Sequence, residues 1–317
     1  MKVMTEKLVN PWLKMLPDSV RRVDSKIAHN LFWMLDQAGN YGFYLKTAKD
    51  FKSTEIDIRL RGITLIKRNY ENCGELFLIL NRQNDWELFF SVCKDIISIC
   101  ATYSTNEEMV VAVENRLKRW QAFLMQNTEV SLSLIMQMGL FAELMFLIDI
   151  LIPKRGASAA IIAWGGPESD RQDFSLTDIA IEIKSYKTSR SPQVSISSTH
   201  QLFTDTKPLF LIAYGLTEAE NGQSIADLIN ELDLLISSES ISIIQLFERK
   251  LIEFGYMPGM TYDVMYKFAI DSLRGFIVEK DFPRILPHQT SREIIAVNYT
   301  IDLQLCTRFE IYVNNII

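Results

Sequence analysis

The sequence predicts an α/β core inside a chain that is α+β overall. Two observations place the core. Between residues 126 and 240 the apolar patterns run helix, three strands, helix, strand, an alternation that builds a sheet with helices packed against it. Within it, residues 208–214 form a continuous apolar run, the mark of a strand covered on both faces. A third observation concerns size and composition. The chain has 317 residues, 48% hydrophobic and 23% charged, which suits an ordinary globular protein of more than one module. We divide it into an N-terminal α+β domain (1–125), a core (126–240) and a C-terminal helix with antiparallel strands (241–317).

In the first part, residues 62–67, 75–80 and 87–92 read as strands. Residues 106–126 read as a helix: Asn106 can cap it, Glu107 and Glu108 suit its first turn, and Val110, Val113, Leu117, Trp120 and Leu124 recur at helical spacing. The core opens with residues 130–150, apolar nearly all round, as in a buried helix. Strands are expected at 160–163, 172–176 and 179–186, a short helix at 197–203, then the strand at 208–214. An amphipathic helix follows at 224–236, with Ile225, Leu228, Ile229, Leu232 and Ile236 on one face. The last part begins with a helix at 240–254 that stops at Gly255. Strand-like segments come after it at 264–270, 275–279, 294–299 and 308–313.

Several function classes lose support here. Cys73, Cys93, Cys100 and Cys306 form no C-x-x-C pair, and His29, His200 and His288 are scattered, so the spacing offers no zinc site and suggests free thiols in a reducing cytoplasm. The first ten residues lack the apolar stretch and cleavage site of a signal peptide. The most membrane-like stretch, 134–152, carries Gln137, Glu143 and Asp149; a carboxylate at the centre of a membrane helix costs about 2.5–3.5 kcal/mol. We therefore expect no membrane span and a cytoplasmic protein. The net charge of −6 argues at first against a nucleic-acid partner. Yet residues 215–240 hold six acids and no Lys or Arg, which accounts for all of it, whereas in 181–210 four Lys or Arg outnumber two acids.

The chemistry concentrates at residues 173–184, read as a hairpin turning at Thr177-Asp178. Opposed residues then have numbers summing to 355, which pairs Phe174 with Ile181 and sets Asp173 opposite Glu182. Such residues have Cβ atoms about 4.5–5.5 Å apart on one face. Lys184, two residues beyond Glu182, shares that face, while Phe174, Ile181 and Ile183 point the other way and can bury. Two carboxylates so close repel unless a cation lies between them, and Mg²⁺ takes one or two carboxylates, water and substrate phosphate. A surface Glu-x-Lys pair alone is commonplace. Here Asp173 lies in register, the neighbouring 208–214 strand is central, and Glu143 sits inside an apolar helix where a lone carboxylate is costly. Asp170 falls on the opposite face by its odd offset and Asp178 lies in the turn, so both read as turn formers.

In order along the chain, Gly139-Leu-Phe-Ala-Glu143-Leu, Trp164-Gly-Gly-Pro, Asp173-Phe, Ile181-Glu182-Ile-Lys184 and Ser197-Ser-Thr-His-Gln201-Leu resemble the PD-(D/E)XK nuclease superfamily. Within it the chain is similar to a bacterial group known by that motif and encoded beside restriction-modification and phage-defence genes. Arg116–Trp120, Gly255-Tyr256, Phe282-Pro-Arg-Ile285 and Val297-Asn-Tyr299 extend the resemblance over most of the chain. It implies a restriction-endonuclease-like core, a mixed sheet with helices on both faces, and a metal-dependent DNA endonuclease. Asp173 and Glu182 would bind Mg²⁺, with Mn²⁺ able to substitute, and Lys184 would assist hydrolysis. Glu143 would complete the acidic cluster, and Gln201 would position water, metal or a DNA phosphate. Lys187, Arg190 and His200 are the expected DNA contacts. The sequence departs from the name-giving motif in one respect: Gln172, not proline, precedes Asp173, and Pro167 lies six residues before it. The alternative is a non-cleaving nucleic-acid-binding or assembly subunit with the same core. The flanking parts could present the core to a partner ATPase or methyltransferase, and a homodimer is compatible with this reading.

Overall fold

The computed structural model describes residues 9–51, 58–71, 73–126, 132–166, 171–257, 264–291 and 293–317; Pro167 and Asp170 lie outside them. The chain divides into two compact units, one of residues 2–130 and 255–263, the other of residues 131–254 and 264–317.

The first unit holds β1 (Ser19–Arg22), β2 (Asn30–Leu35), β3 (Tyr41–Thr47), β4 (Ile63–Tyr70), β5 (Cys73–Leu80), α1 (Trp86–Thr102) and α2 (Asn106–Gln126). The strands form one antiparallel sheet in the order β1-β2-β3-β5-β4. In β5, Leu76, Leu78 and Leu80 alternate into the core, as a half-buried strand requires. Residues 87–92, expected as a strand, are helical. Phe89, Val92, Cys93, Ile96 and Cys100 are all buried at three- and four-residue intervals, and that period outlasts the short β-like run at its start.

The second unit opens with α3 (Leu134–Phe146), capped by the Ser133 hydroxyl, which accepts from the Met136 N–H. It continues through a π-helical turn, Leu147–Leu151, into α4 (Ile152–Arg155). Gly156, at φ 81°, starts a new direction, and α5 (Ala157–Ala163) follows. Residues 160–163 are thus helical and not the expected strand: a four-residue apolar run carries no period of its own, and alanine favours helix. Then come β6 (Phe174–Ser175), β7 (Ala180–Lys187), β8 (Gln193–Ile196), β9 (Leu209–Gln223), α6 (Ile225–Leu235), α7 (Ile241–Glu253), β10 (Phe268–Ile277), β11 (Tyr299–Asp302) and β12 (Glu310–Ile311). A full capping box between Ser224 and Asp227 starts α6.

The central sheet runs β12-β10-β9-β7-β6. β7 and β9 are parallel and the other pairs antiparallel, so the sheet is mixed, as expected of the α/β core. Residues 241–317, read from the sequence as a separate part, supply β10 and β12 to it. The expected strands at 264–270 and 275–279 are one strand, β10, with a register shift between Ile270 and Ser272. α3 lies against β7 and α6. Ile181 and Ile183 bury on one face of β7. The opposite face, with Ala180, Leu211 and Ala213, packs against Val194, Ile196, Leu202, Ile301, Leu303 and Phe309. That second cover is the β8–β11 ribbon and the 3₁₀ segment Leu303–Phe309, not a helical layer. Among the described residues one helix, Leu134–Arg155, is long and apolar enough to cross a membrane; 72% of its most apolar window is buried inside the fold.

Candidate functional site

The hairpin register is the one the arithmetic requires: Phe174 pairs with Ile181 and Ser175 with Ala180, and Leu176 N–H closes the turn on Ile179 O at 3.0 Å. Asp173 lies one step beyond the ladder. Its Oδ2 accepts from the Ile183 N–H at 2.6 Å and its carbonyl accepts from Gly165 N–H at 2.6 Å. Asp173 is therefore held by backbone on both sides. Glu182 projects from the middle of β7 and is fully buried. Lys184, on the same face, brings its Nζ to 2.6 Å from Glu182 Oε1, yet neither Glu182 oxygen accepts a hydrogen bond of normal geometry. Glu143 reaches in from α3, and its Oε2 accepts from Trp164 Nε1 at 2.6 Å.

Three carboxylates thus share one ammonium, with Glu143 and Glu182 buried and Asp173 and Lys184 partly open to solvent. Burial pushes Glu182 well above the usual carboxylate range and the Asp173 charge adds to it, against the pull of Lys184. Glu143 is raised the same way, by burial and then by Asp173, with Trp164 opposing. Asp173 is raised by burial, though Lys184 and the Ile183 N–H hold it down. Burial works against the Lys184 ammonium, but Glu182 and Asp173 outweigh it and raise its pKa. The deficit is one of positive charge.

Among the described residues no three His, Cys, Asp or Glu side chains are already gathered as a metal cage. Mg²⁺ does not need one, since it keeps several waters and uses one or two carboxylates. The buried Glu182 carboxylate, met by Lys184 alone, and Asp173 beside it are a donor set of that kind.

The family described as "Putative PD-(D/E)XK family member, (DUF4420)" matches residues 9–304. The chain belongs to this family. No curated protein and no solved structure matches it significantly.

The other residues singled out from the sequence are placed as follows. Residues 197–203 form a non-helical turn where a helix was expected, because side chains and not a helical ladder satisfy it. Gln201 Oε1 accepts from Ser197 N–H at 2.9 Å, turning that oxygen back into its own loop. Gln172 Nε2 donates to the carbonyls of His200 and Phe203 at 2.7 and 2.8 Å, and so ties the turn to the residue before Asp173. His200 is exposed, and with Arg171 and Lys207 it lines a cleft of about 350 Å³ beside Gly165 and Gln172. Lys187 is five residues past Glu182, on the opposite face of β7 and roughly 16 Å along it, where it pairs with Glu218 at 2.8 Å. Arg190 lies beyond the strand, exposed. Asp178 binds Arg155 at 2.6 Å in the turn.

Two supporting residues had no role assigned from the sequence. Trp164 holds Glu143, and Lys250 holds Trp164: its Nζ donates to the carbonyls of Trp164 and, at 2.8 Å, Ile161. A signal for Lys250 did exist. It falls at helical spacing from Ile243 and Phe247, on the buried face of α7.

Proposed function

We propose that this protein is a Mg²⁺-dependent endodeoxyribonuclease of a restriction or phage-defence system, acting in the cytoplasm. The observation that carries the reading is Glu182: a fully buried carboxylate beside Asp173 and Glu143, with the Lys184 ammonium, which all three acids share, its only cation among the described residues. A purely structural cluster would give each buried acid a partner of its own. A divalent ion held by Asp173 and Glu182 would activate water and neutralise the charge that develops on a phosphodiester. Lys184 adds a fixed cation on the same face, placed to stabilise that charge or to orient the attacking water. Asp173 keeps its geometry through the Ile183 N–H, and Glu143 keeps its own through Trp164. Mn²⁺ is expected to substitute for Mg²⁺. A defence-system ATPase or methyltransferase is the kind of partner expected, and a homodimer is compatible with the reading.

The test is cleavage of plasmid and linear duplex DNA with Mg²⁺ or Mn²⁺. Asp173→Ala, Glu182→Ala and Lys184→Ala should each abolish cutting while the melting temperature stays near wild type. Full activity in all three sinks the proposal. Salt-sensitive DNA binding by the wild type, with no cleavage under any divalent ion, would instead make it a non-cleaving nucleic-acid-binding subunit.

A further inference from the structure

We propose that Arg284 and Tyr299 form a phosphate-binding subsite that takes a nucleic-acid backbone phosphate flanking the cleaved one. The proposal rests on the nuclease reading above. Both residues lie more than 95 positions from Asp173 and Glu182 in sequence, yet Tyr299 packs on the site face of the sheet and Arg284 lines the same cleft as Tyr299. Tyr299 packs against the cluster of Ala180, Leu211 and Ala213, the immediate neighbours of Glu182 and Lys184 on that face. It is anchored there by the β11–β8 ladder, opposite Ile196. Arg284 Nη1 donates to Leu202 O at 2.8 Å. Leu202 belongs to the turn that also holds Gln172, the residue before Asp173. One turn therefore supports the acidic site on one side and the guanidinium on the other.

The chemistry of the pair points to an anion. Arg284 has no carboxylate partner among the described residues, and its Nε is buried without an acceptor. A guanidinium offers five donors in a planar fork suited to phosphate oxygens, and here one acceptor serves it. Tyr299 Oη accepts from the Ile285 N–H at 3.4 Å, which leaves its own proton to donate. Burial raises the Tyr299 hydroxyl, and among the weaker influences on it are Arg284, Glu182 and Lys184, in keeping with their nearness. Both side chains line an open cleft of about 430 Å³, which Arg308, stacked over Phe309 at 4.6 Å, also lines. The acids of the cleft are Asp281, which is exposed, and Asp302, whose Oδ1 caps Gln304 N–H at 2.9 Å. Neither pairs with Arg284.

The experiment uses the full chain in a Glu182→Gln background, so that duplex DNA is bound and not cut, and follows fluorescence anisotropy across a salt series. Adding Arg284→Ala should weaken binding about tenfold or more and lower the slope of log affinity against log salt by about 1. Arg284→Lys should keep the slope and recover part of the affinity, because the charge survives and the fork does not. Tyr299→Phe should cost less and leave the slope alone. If Arg284→Ala lowers the melting temperature, Arg284→Gln, which keeps most of the side chain's packing and an amide donor but not the charge, decides the matter. Affinity and slope equal to the parent in Arg284→Ala or Arg284→Gln, with a wild type that cuts DNA, refute the subsite alone. A wild type that neither binds nor cuts DNA removes the nuclease reading and the subsite with it.

Discussion

Each unit of this protein buries charge, and the two do so in opposite ways. In the N-terminal unit, buried Asp95 accepts from Arg116 Nε and Nη2 at 2.7 and 2.8 Å and from Trp120 Nε1 at 2.8 Å. Lys67 reaches Glu114 at 2.7 Å nearby in the same unit. Asp95 and Glu114, the buried acids among the described residues of that unit, both have directed donors. In the second unit Glu182 is more deeply buried, has no hydrogen bond of normal geometry, and shares one ammonium with Asp173 and Glu143. The first arrangement gives each carboxylate a cation of its own. The second is short of positive charge, which a divalent metal ion would supply. Burial of a carboxylate does not by itself mark a site; several buried acids sharing one cation is the distinguishing feature here.

The largest effect expected from this contrast is at Glu182. Glu182→Gln should lower cleavage about a thousandfold or more, the scale of the several kcal/mol that a bound metal contributes. Stability should move the other way. The folded-state pKa of Glu182 is raised, so the fold favours its protonated form, and stability is lost as pH climbs above the unfolded value near 4.5. Without divalent ions, Glu182→Gln should therefore melt at or above wild type near neutral pH, with the gap closing toward pH 4.5. Metal at a hundredfold over its Kd should stabilise wild type by about 2.7 kcal/mol and leave the variant unchanged. Thermal melts with EDTA and with Mn²⁺ check this. A variant that melts lower and still cuts would erase the contrast.

Next in size is Asp95. Removing one partner from a buried, bonded pair costs about 3–5 kcal/mol, so Asp95→Ala should lower the free energy of unfolding by that much. Cleavage per folded molecule should not change. The double replacement Asp95→Leu with Arg116→Met should recover most of the loss, since a matched apolar pair avoids stranding a charge. Urea titration with activity measured on the same samples distinguishes the outcomes. A parallel loss of cleavage in folded Asp95→Ala would tie this cluster to the chemistry.

The same contrast explains what the sequence could show. The hairpin was legible because β pairing has a period of two and a short turn fixes register, so Asp173, Glu182 and Lys184 follow from local arithmetic. Glu143 was legible as a carboxylate inside an apolar helix. The short apolar runs at 87–92 and 160–163 were not, because four to six residues fit helix and strand alike; the structure makes both helical. The turn at 197–203 owes its shape to Gln172 and Arg284, one on either side in sequence and both distant. The cover over the site face comes from β11 and the segment after it, more than 110 residues past Glu182. Such pairings belong to topology, and no local pattern announces them.

The smallest effect expected lies where the two clusters look most alike, since each contains a tryptophan N–H bonded to an acid. Trp164→Phe keeps an aromatic ring against Phe247, now 5.9 Å away, and removes the donor to Glu143 Oε2. A hydrogen bond to a charged group contributes about 1.5–3 kcal/mol. Glu143, already raised by burial and by Asp173, loses the one group that held it down through a hydrogen bond. The variant should need more Mg²⁺ for half-maximal cleavage, by about tenfold, with saturated activity largely regained at high metal. Trp120→Phe, the matching change beside Asp95, should alter stability alone. Metal titrations of the two variants side by side measure the difference. An equal shift in both would mean that Trp164 only fills space, and an unshifted Trp164→Phe would remove Glu143 from the acidic site.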